Sequence, residues 1–267
     1  MAVQSTNQKL AHKIRLLLAI AISLSMISIG NSVSAIELPD LIEQIRPSVV
    51  GVGTQQALRR PPNSLTGTGF VVGNGNLVVT NAHVVANNLD TEAREKRVVF
   101  VGRGKKPSVR NASVVRVDRV HDLALLRVDG PPIPALKLGS QAIVREGQSI
   151  VFTGFPIGAV LGLYPVTHRG IVSVISPVAI PQHSIKGATA AQLRRLRDPF
   201  DVLQLDATAY PGNSGSPVLD RQSGLVIGVI NSVLVKHSKE HVLKDPSAIS
   251  YAIPVKHVVA LLAGELK

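Results

Sequence analysis

Pro131-Pro132-Ile133-Pro134 divides this chain in two. Three prolines in four positions remove the N–H donors that a sheet interior requires, so residues 131–135 are read as a linker. On its N-terminal side lie short Val- and Ile-rich runs punctuated by Gly, Asn and Pro: Ser48–Val52, Gly69–Val72, Leu77–Thr80, Val98–Val101, Ala112–Asp118 and Leu123–Val128. A second set follows it: Ser149–Thr153, His168–Ile175, Leu203–Leu205, Pro217–Leu219, Val226–Ile230 and Ile249–Ala252. Short strands with such punctuation predict an all-β barrel or sandwich in each half. Gly73-Asn74-Gly75-Asn76 is a hairpin signal between two of them. Leu38–Ile45 has the spacing of a short amphipathic helix that stops before Pro47, and Val255–Leu266 carries apolar residues at helical spacing.

The first 35 residues have the layout of an export signal. Lys9, Lys13 and Arg15 form a basic region, Leu16–Gly30 an apolar run, and Val33-Ser34-Ala35 a small-residue cleavage site. Fifteen apolar residues fall short of the roughly 20 that comfortably span a bilayer, which favours cleavage over a retained anchor. The expected product is an exported protein, periplasmic or secreted, beginning at Ile36.

Composition removes several classes of function. With no cysteine there is neither a thiol nucleophile nor a Cys-based zinc site. Aromatic residues make up only 3%, too few for the stacking platforms of nucleic-acid binders, so no nucleic-acid partner is expected. The net charge is +12, of which the leader contributes three, and many of the remaining cations fall between Arg94 and Arg119. Arg94, Lys96, Arg97, Arg103, Lys105, Lys106, Arg110, Arg116 and Arg119 there face only Glu95 and Asp118. This stretch is either a solvated surface or an attractor for an anionic membrane, cell-wall polymer or substrate, and charge does not choose between them.

Three further segments carry chemistry. Thr80-Asn81-Ala82-His83 ends an apolar strand, His121-Asp122 precedes the apolar run Leu123–Leu126, and Gly212-Asn213-Ser214-Gly215-Ser216-Pro217 is a glycine-flanked turn. A serine hydroxyl is a poor nucleophile until an imidazole accepts its proton. The imidazole in turn needs a carboxylate to hold its tautomer and stabilise its charged form. A carboxylate at the start of a buried strand must be paired, and His83 is the natural partner for Asp122. Asp118 and Asp129 are weaker candidates, because no comparable apolar run follows either. The Gly212–Gly215 turn can aim the Gly212 and Ser214 amides at a developing oxyanion, with Asn213 shaping it.

In these segments the chain resembles trypsin-like serine proteases of the high-temperature-requirement (HtrA-like, Deg) type. The likeness extends from about Leu38 to the C-terminus and includes Gly67-Thr68-Gly69-Phe70 and Tyr251-Ala252-Ile253-Pro254. It implies a double β-barrel: an N-terminal barrel over 36–130 with His83 and Asp122, a C-terminal barrel over 136–254 with Ser214, and a closing helix over 255–267. It further implies that Ser214 attacks the scissile carbonyl, His83 shuttles the proton and Asp122 orients His83, with no cofactor or metal. Polypeptides, unfolded or damaged ones above all, are the substrates it implies. Homotrimers are frequent among proteins of this type, but no contact for one can be read here. Thr208, six residues before Ser214, would form the floor of the specificity pocket, followed by Ala209 and Tyr210, with Asn231-Ser232-Val233 as its adjoining wall. No acid occupies that floor, so cleavage after small or medium aliphatic residues is expected, and Asp206 is the nearest acid.

Two departures from the family pattern stand out. Ser216 replaces a more usual glycine, and the chain ends at Lys267, where many relatives continue into a peptide-binding PDZ domain. They leave an alternative in which the fold binds polypeptides, chaperone-like, with weak catalysis. A metallopeptidase reading rests on His237-Ser238-Lys239-Glu240-His241, which matches His-x-x-Glu-His. Its polar surroundings, before Asp245-Pro246, fit an exposed charged loop better. An α/β-hydrolase elbow fails because its histidine follows the serine, and here it precedes.

Overall fold

The computed structural model describes residues 36–140, 144–156, 162–178, 198–231 and 249–265. The leader, Ser232, Val233, the 237–241 motif and most of the 182–201 stretch lie outside the described residues. Residues 36–267 form one compact unit.

Strands β1 (Val49–Gln55), β2 (Asn63–Val72), β3 (Leu77–Asn81), β4 (Lys96–Val101), β5 (Ser108–Asp118) and β6 (Leu123–Val128) close into one antiparallel barrel in the order β1-β2-β3-β6-β5-β4. A second closed barrel, β10-β11-β12-β9-β8-β7, comprises β7 (Ser149–Gly154), β8 (Val166–Pro177), β9 (Asp201–Asp206), β10 (Pro217–Asp220), β11 (Val226–Ile230) and β12 (Ile249–Pro254). Each predicted run is a strand, and the architecture is the chymotrypsin-like double barrel. The first strand starts one residue later than expected, because Arg46–Ser48 forms a short 3-10 turn around Pro47.

Several strands are buried on both faces, which explains why period-two polarity is faint in the sequence. On β3, Val78 points into its own barrel, while Leu77 and Val79 join the core shared by the two barrels. On β6, Ala124 and Leu126 face inward and Leu123 and Leu125 face that shared core. Helices α1 (Leu38–Ile45) and α2 (Val255–Leu262) complete it with Leu41, Ile45, Val258 and Leu261. Truncating such a buried leucine to alanine typically costs about 2–5 kcal/mol.

The register of β3 against β6 places the chemistry. Asn81 pairs with Leu123, so His83, two residues beyond one strand, and Asp122, one before the other, emerge at the same end. The Ser214 turn leads into β10 in the second barrel and docks on β2 of the first, where the Thr68 N–H donates to the Ser214 carbonyl at 2.9 Å.

Candidate active site

His83 opens a short 3-10 turn, His83–Val85, directly after β3. Asp122 takes a left-handed backbone, φ +54°, a conformation that aspartate tolerates better than most residues. In that pose its carbonyl accepts Ala82 N–H at 3.1 Å and Asn81 Nδ2 at 3.0 Å. Its carboxylate accepts the His83 backbone N–H at 2.9 Å through Oδ1 and lies 2.6 Å from His83 Nδ1 through Oδ2. With Nδ1 committed to the carboxylate, the proton-accepting role falls to the other ring nitrogen. His83 retains 30% side-chain exposure and Asp122 only 14%, so the imidazole is open to solvent and its carboxylate shielded.

A third donor to the Asp122 carboxylate comes from the other barrel: Asn231 Nδ2 reaches Oδ2 at 2.7 Å. Asn231 immediately follows β11 and is 2% exposed. The sequence places it in a substrate-binding wall, and in the fold its side chain also bonds the carboxylate.

The serine turn is held just as closely. Gly212 and Gly215 adopt φ +99° and +89°, values that need glycine. Asn213 N–H donates to the Tyr210 carbonyl at 3.0 Å, Ser216 N–H to the Asn213 carbonyl at 2.9 Å, and Gly215 N–H to the Ile230 carbonyl at 3.0 Å. Among the described residues the Gly212 N–H has no acceptor, while its carbonyl takes the Thr68 hydroxyl at 2.7 Å. The same hydroxyl accepts Phe155 N–H at 3.0 Å, and the Thr68 carbonyl accepts Thr80 Oγ1 at 2.6 Å. Thr68 therefore ties the serine turn to the strand that ends at the histidine. Gly67 lies where both turns meet: a methyl there would fall 2.7 Å from Val84 and 3.0 Å from the Ser214 carbonyl. Ser214 itself is 4% exposed.

Around the turn, Asn213 and Ser216 are fully buried, and their side-chain polar atoms have no partner among the described residues. Both approach Gly154 at the end of β7, where an added Cβ would overlap Ser216 Oγ and come within 2.9 Å of Asn213 Oδ1. Of the pocket residues inferred from sequence, Ala209 is buried and its N–H donates to Ser250 Oγ at 2.8 Å. Thr208 and Tyr210 are half-buried, and Tyr210 lies 6.1 Å from the His168 ring. Asp206 is exposed at the end of β9, in register with Ile171 and Ile249, both exposed as well.

The basic stretch is partly structural. Arg97 donates to the Val85 and Asn87 carbonyls at 2.9 and 3.2 Å, and Arg110 to the Pro131 carbonyl at 2.5 Å. Arg116 caps α2 through the Leu261 and Ala263 carbonyls at 2.8 and 2.9 Å. Among the described residues no group of three or more His, Asp or Glu could hold a metal ion.

A double barrel with a His–Asp pair on one half and a glycine-flanked serine on the other defines the class of chymotrypsin-like folds. The trypsin-like peptidase domain matches residues 67–229, more than half of the chain, and the protein belongs to that family. It is 32% identical over 229 residues to "Serine protease HTRA1B" of Danio rerio, covering 85% of this chain and 40% of that protein. "Serine protease HTRA2, mitochondrial" of Bos taurus is 33% identical over 228 residues, covering 81% and 40% of the two chains. "Probable periplasmic serine endoprotease DegP-like" of Pseudomonas fluorescens is 30% identical over 274 residues, covering 86% and 50%. The chain thus spans 40% to 50% of the length of these relatives. A solved structure, "HtrA-type protease AlgW with tripeptide", shares the fold with a TM-score of 0.60 at 24% identity, covering 85% of this chain and 62% of that one.

Proposed function

We propose that this protein is a serine endopeptidase that hydrolyses peptide bonds through Ser214, His83 and Asp122. The observation that carries the reading is the 2.6 Å contact of His83 Nδ1 with Asp122, in a site where the Ser214 turn and the His83 turn close on Gly67. Ser214 Oγ attacks the carbonyl, and His83 takes the hydroxyl proton and returns it to the leaving amine. Asp122 holds the imidazole and balances its charge. The negative charge on the substrate oxygen falls to the Gly212 and Ser214 N–H groups, with the Thr68–Gly212 bond fixing their plane. Water then cleaves the acyl-enzyme by the same proton route.

Thr208 and Ala209 give the pocket for the residue before the cut a neutral, small lining, and Asp206 sits on the outer face of its strand. Small or medium aliphatic residues fit it, in unfolded chains that can extend beside β11. Residues 1–35 direct export, and the DegP-like relative is named periplasmic. Among the described residues no helix is long and apolar enough to cross a membrane.

A fluorophosphonate probe tests the reading. The purified protein should be labelled at Ser214 and lose labelling and proteolysis together in Ser214→Ala, with chelators having no effect. Proteolysis that survives Ser214→Ala would overturn it. N-terminal sequencing of the exported protein should begin at Ile36, and cuts mainly after Lys or Arg in an unfolded-protein digest would refute the pocket assignment.

A further inference from the structure

The turn between β4 and β5 carries Arg103, Lys105 and Lys106, all exposed. It reaches across to the second barrel, where Gly104 and Leu163 exchange backbone hydrogen bonds at 2.8 and 2.9 Å. Leu163 is buried in an apolar cluster with Phe100 and Phe155, which anchors the junction. The next residue, Tyr164, is 49% exposed, and Val166, at the start of β8, is 41% exposed. A methyl on Gly104 would lie 3.8 Å from the Tyr164 hydroxyl. The tyrosine therefore ends beside the residue that separates Arg103 from Lys105. Among the described residues these three cations make no side-chain hydrogen bond or ion pair, whereas Arg97, Arg110 and Arg116 are held by carbonyls. No acid occurs from Lys96 to Val117 or from Gly147 to Arg197, so the two segments that meet here bring no counter-charge. The turn also stands clear of the barrel: a methyl on Gly102 would have nothing within 4 Å.

A peptide is gripped by a groove, but a projecting cationic turn beside an aromatic and an aliphatic side chain suits a flat anionic surface. Tyrosine is at home where one end of the ring is apolar and the other wet, which is the headgroup layer of a bilayer. We propose that the 102–107 turn and the 164–166 segment form a docking surface for an anionic lipid bilayer, with Arg103, Lys105 and Lys106 at the headgroup phosphates and Tyr164 and Val166 in the interfacial layer. The contact is peripheral and reversible, because a few cations and two partly exposed apolar groups hold far less strongly than a spanning helix. It selects a membrane as the partner of the basic stretch and assigns the contact to three of its cations. It is independent of what Ser214 does.

The chain contains no tryptophan, so Tyr164→Trp places a single reporter on this surface. The intact chain carrying it is titrated with vesicles of phosphatidylcholine alone, and of phosphatidylcholine and phosphatidylglycerol in equal parts. The anionic vesicles should move the tryptophan emission to shorter wavelength, and added salt should reverse the move. The neutral vesicles should leave it unchanged. With Arg103→Ser, Lys105→Ser and Lys106→Ser added together, about a hundredfold more anionic lipid should be needed for half the change. All four substitutions fall at exposed side chains, so the melting temperature should stay where it was. The apolar leader is common to both chains and cannot produce a difference between them. An emission that never moves, an equal response to neutral vesicles, or an undiminished response in the cation-free turn would overturn the proposal. A change produced by soluble polyglutamate but not by vesicles would overturn it as well, and would make the partner an acidic polypeptide.

Discussion

Asn231, in the second barrel, donates its side-chain amide to the Asp122 carboxylate of the first at 2.7 Å. The Asp122 carboxylate is thus positioned from both halves of the molecule. Its Oδ1 is set by the His83 backbone, and its Oδ2 is shared between His83 Nδ1 and Asn231. Asn231→Ala removes a donor from a shielded carboxylate and frees it to rotate away from the imidazole. The expected loss is on the order of 10–100-fold in kcat/KM, as for other residues that orient a reacting group. Asn231→Asp should be worse, since it sets a second carboxylate against the first. Steady-state kinetics on an unfolded protein substrate, with melting temperatures alongside, check both variants. A fall confined to stability would assign Asn231 a structural role only.

Thr68 makes four hydrogen bonds, two of them to carbonyls of the serine turn. Thr68→Val keeps the shape of the side chain but strands the Phe155 N–H and releases the Gly212 carbonyl. An unpaired buried donor costs about 1–3 kcal/mol. Activity should fall further than stability does, because the freed carbonyl lets the Gly212 peptide turn and aim its N–H away from the substrate oxygen. The expected signature is a lower kcat with little change in KM, measured against the melting temperature of the same protein.

The twelve strands and the three chemical segments could be read from the sequence because each depends on local pattern: short β-branched runs, proline and glycine breaks, and a polar residue at a strand end. The same pattern hides contacts made across the fold. Thr68 lay inside a segment noticed for its likeness to a family, yet its bonds to Gly212 and Ser214 join residues about 145 positions apart. The bond of Asn231 to Asp122 leaves no mark in the sequence, because only the closure of one barrel on the other brings the two together. The basic stretch looked uniform, whereas Arg97, Arg110 and Arg116 are spent on carbonyls that sequence spacing cannot locate. The β5 bulge between Val114 and Arg116, which decides which valines face solvent, leaves no mark in composition.

Gly154 and Ser216 form a matched pair. A methyl at 154 would overlap Ser216 Oγ, and both sites are buried, so Gly154→Ala must displace the serine turn. Overpacking of this kind costs about 1–3 kcal/mol. Ser216→Gly deletes the obstructing oxygen and should be tolerated alone, since that hydroxyl has no partner among the described residues. In the double variant it should restore much of the stability and activity lost through Gly154→Ala. A double-mutant cycle by chemical denaturation measures the coupling, and additive effects would show that the two sites act independently.

Stability should weaken in mild acid through an imidazole on α2 that the proposed reaction does not use. His257 on α2 stacks on His121 at 3.7 Å between ring centroids, with Phe200 edge-on at 5.3 Å, and its buried Nε2 has no partner among the described residues. Burial, then the neighbouring His121 and Lys256, push its pKa down from 6.5 to about 4, while Asp118 opposes them. The unfolded chain therefore binds a proton at His257 that the folded chain resists. Its contribution is complete above about pH 6.5, declines as pH falls toward 4, and is constant below that. After allowance for partial exposure the loss is on the order of 2 kcal/mol. His168, lowered by burial beside Phe152, adds a smaller loss of the same sign. His257→Phe keeps an aromatic ring against His121 and Phe200 but carries no titrating group. Urea midpoints between pH 7.5 and 4 should fall steeply for the wild-type protein and less steeply for His257→Phe, and parallel curves would show that His257 does not set the acid limit.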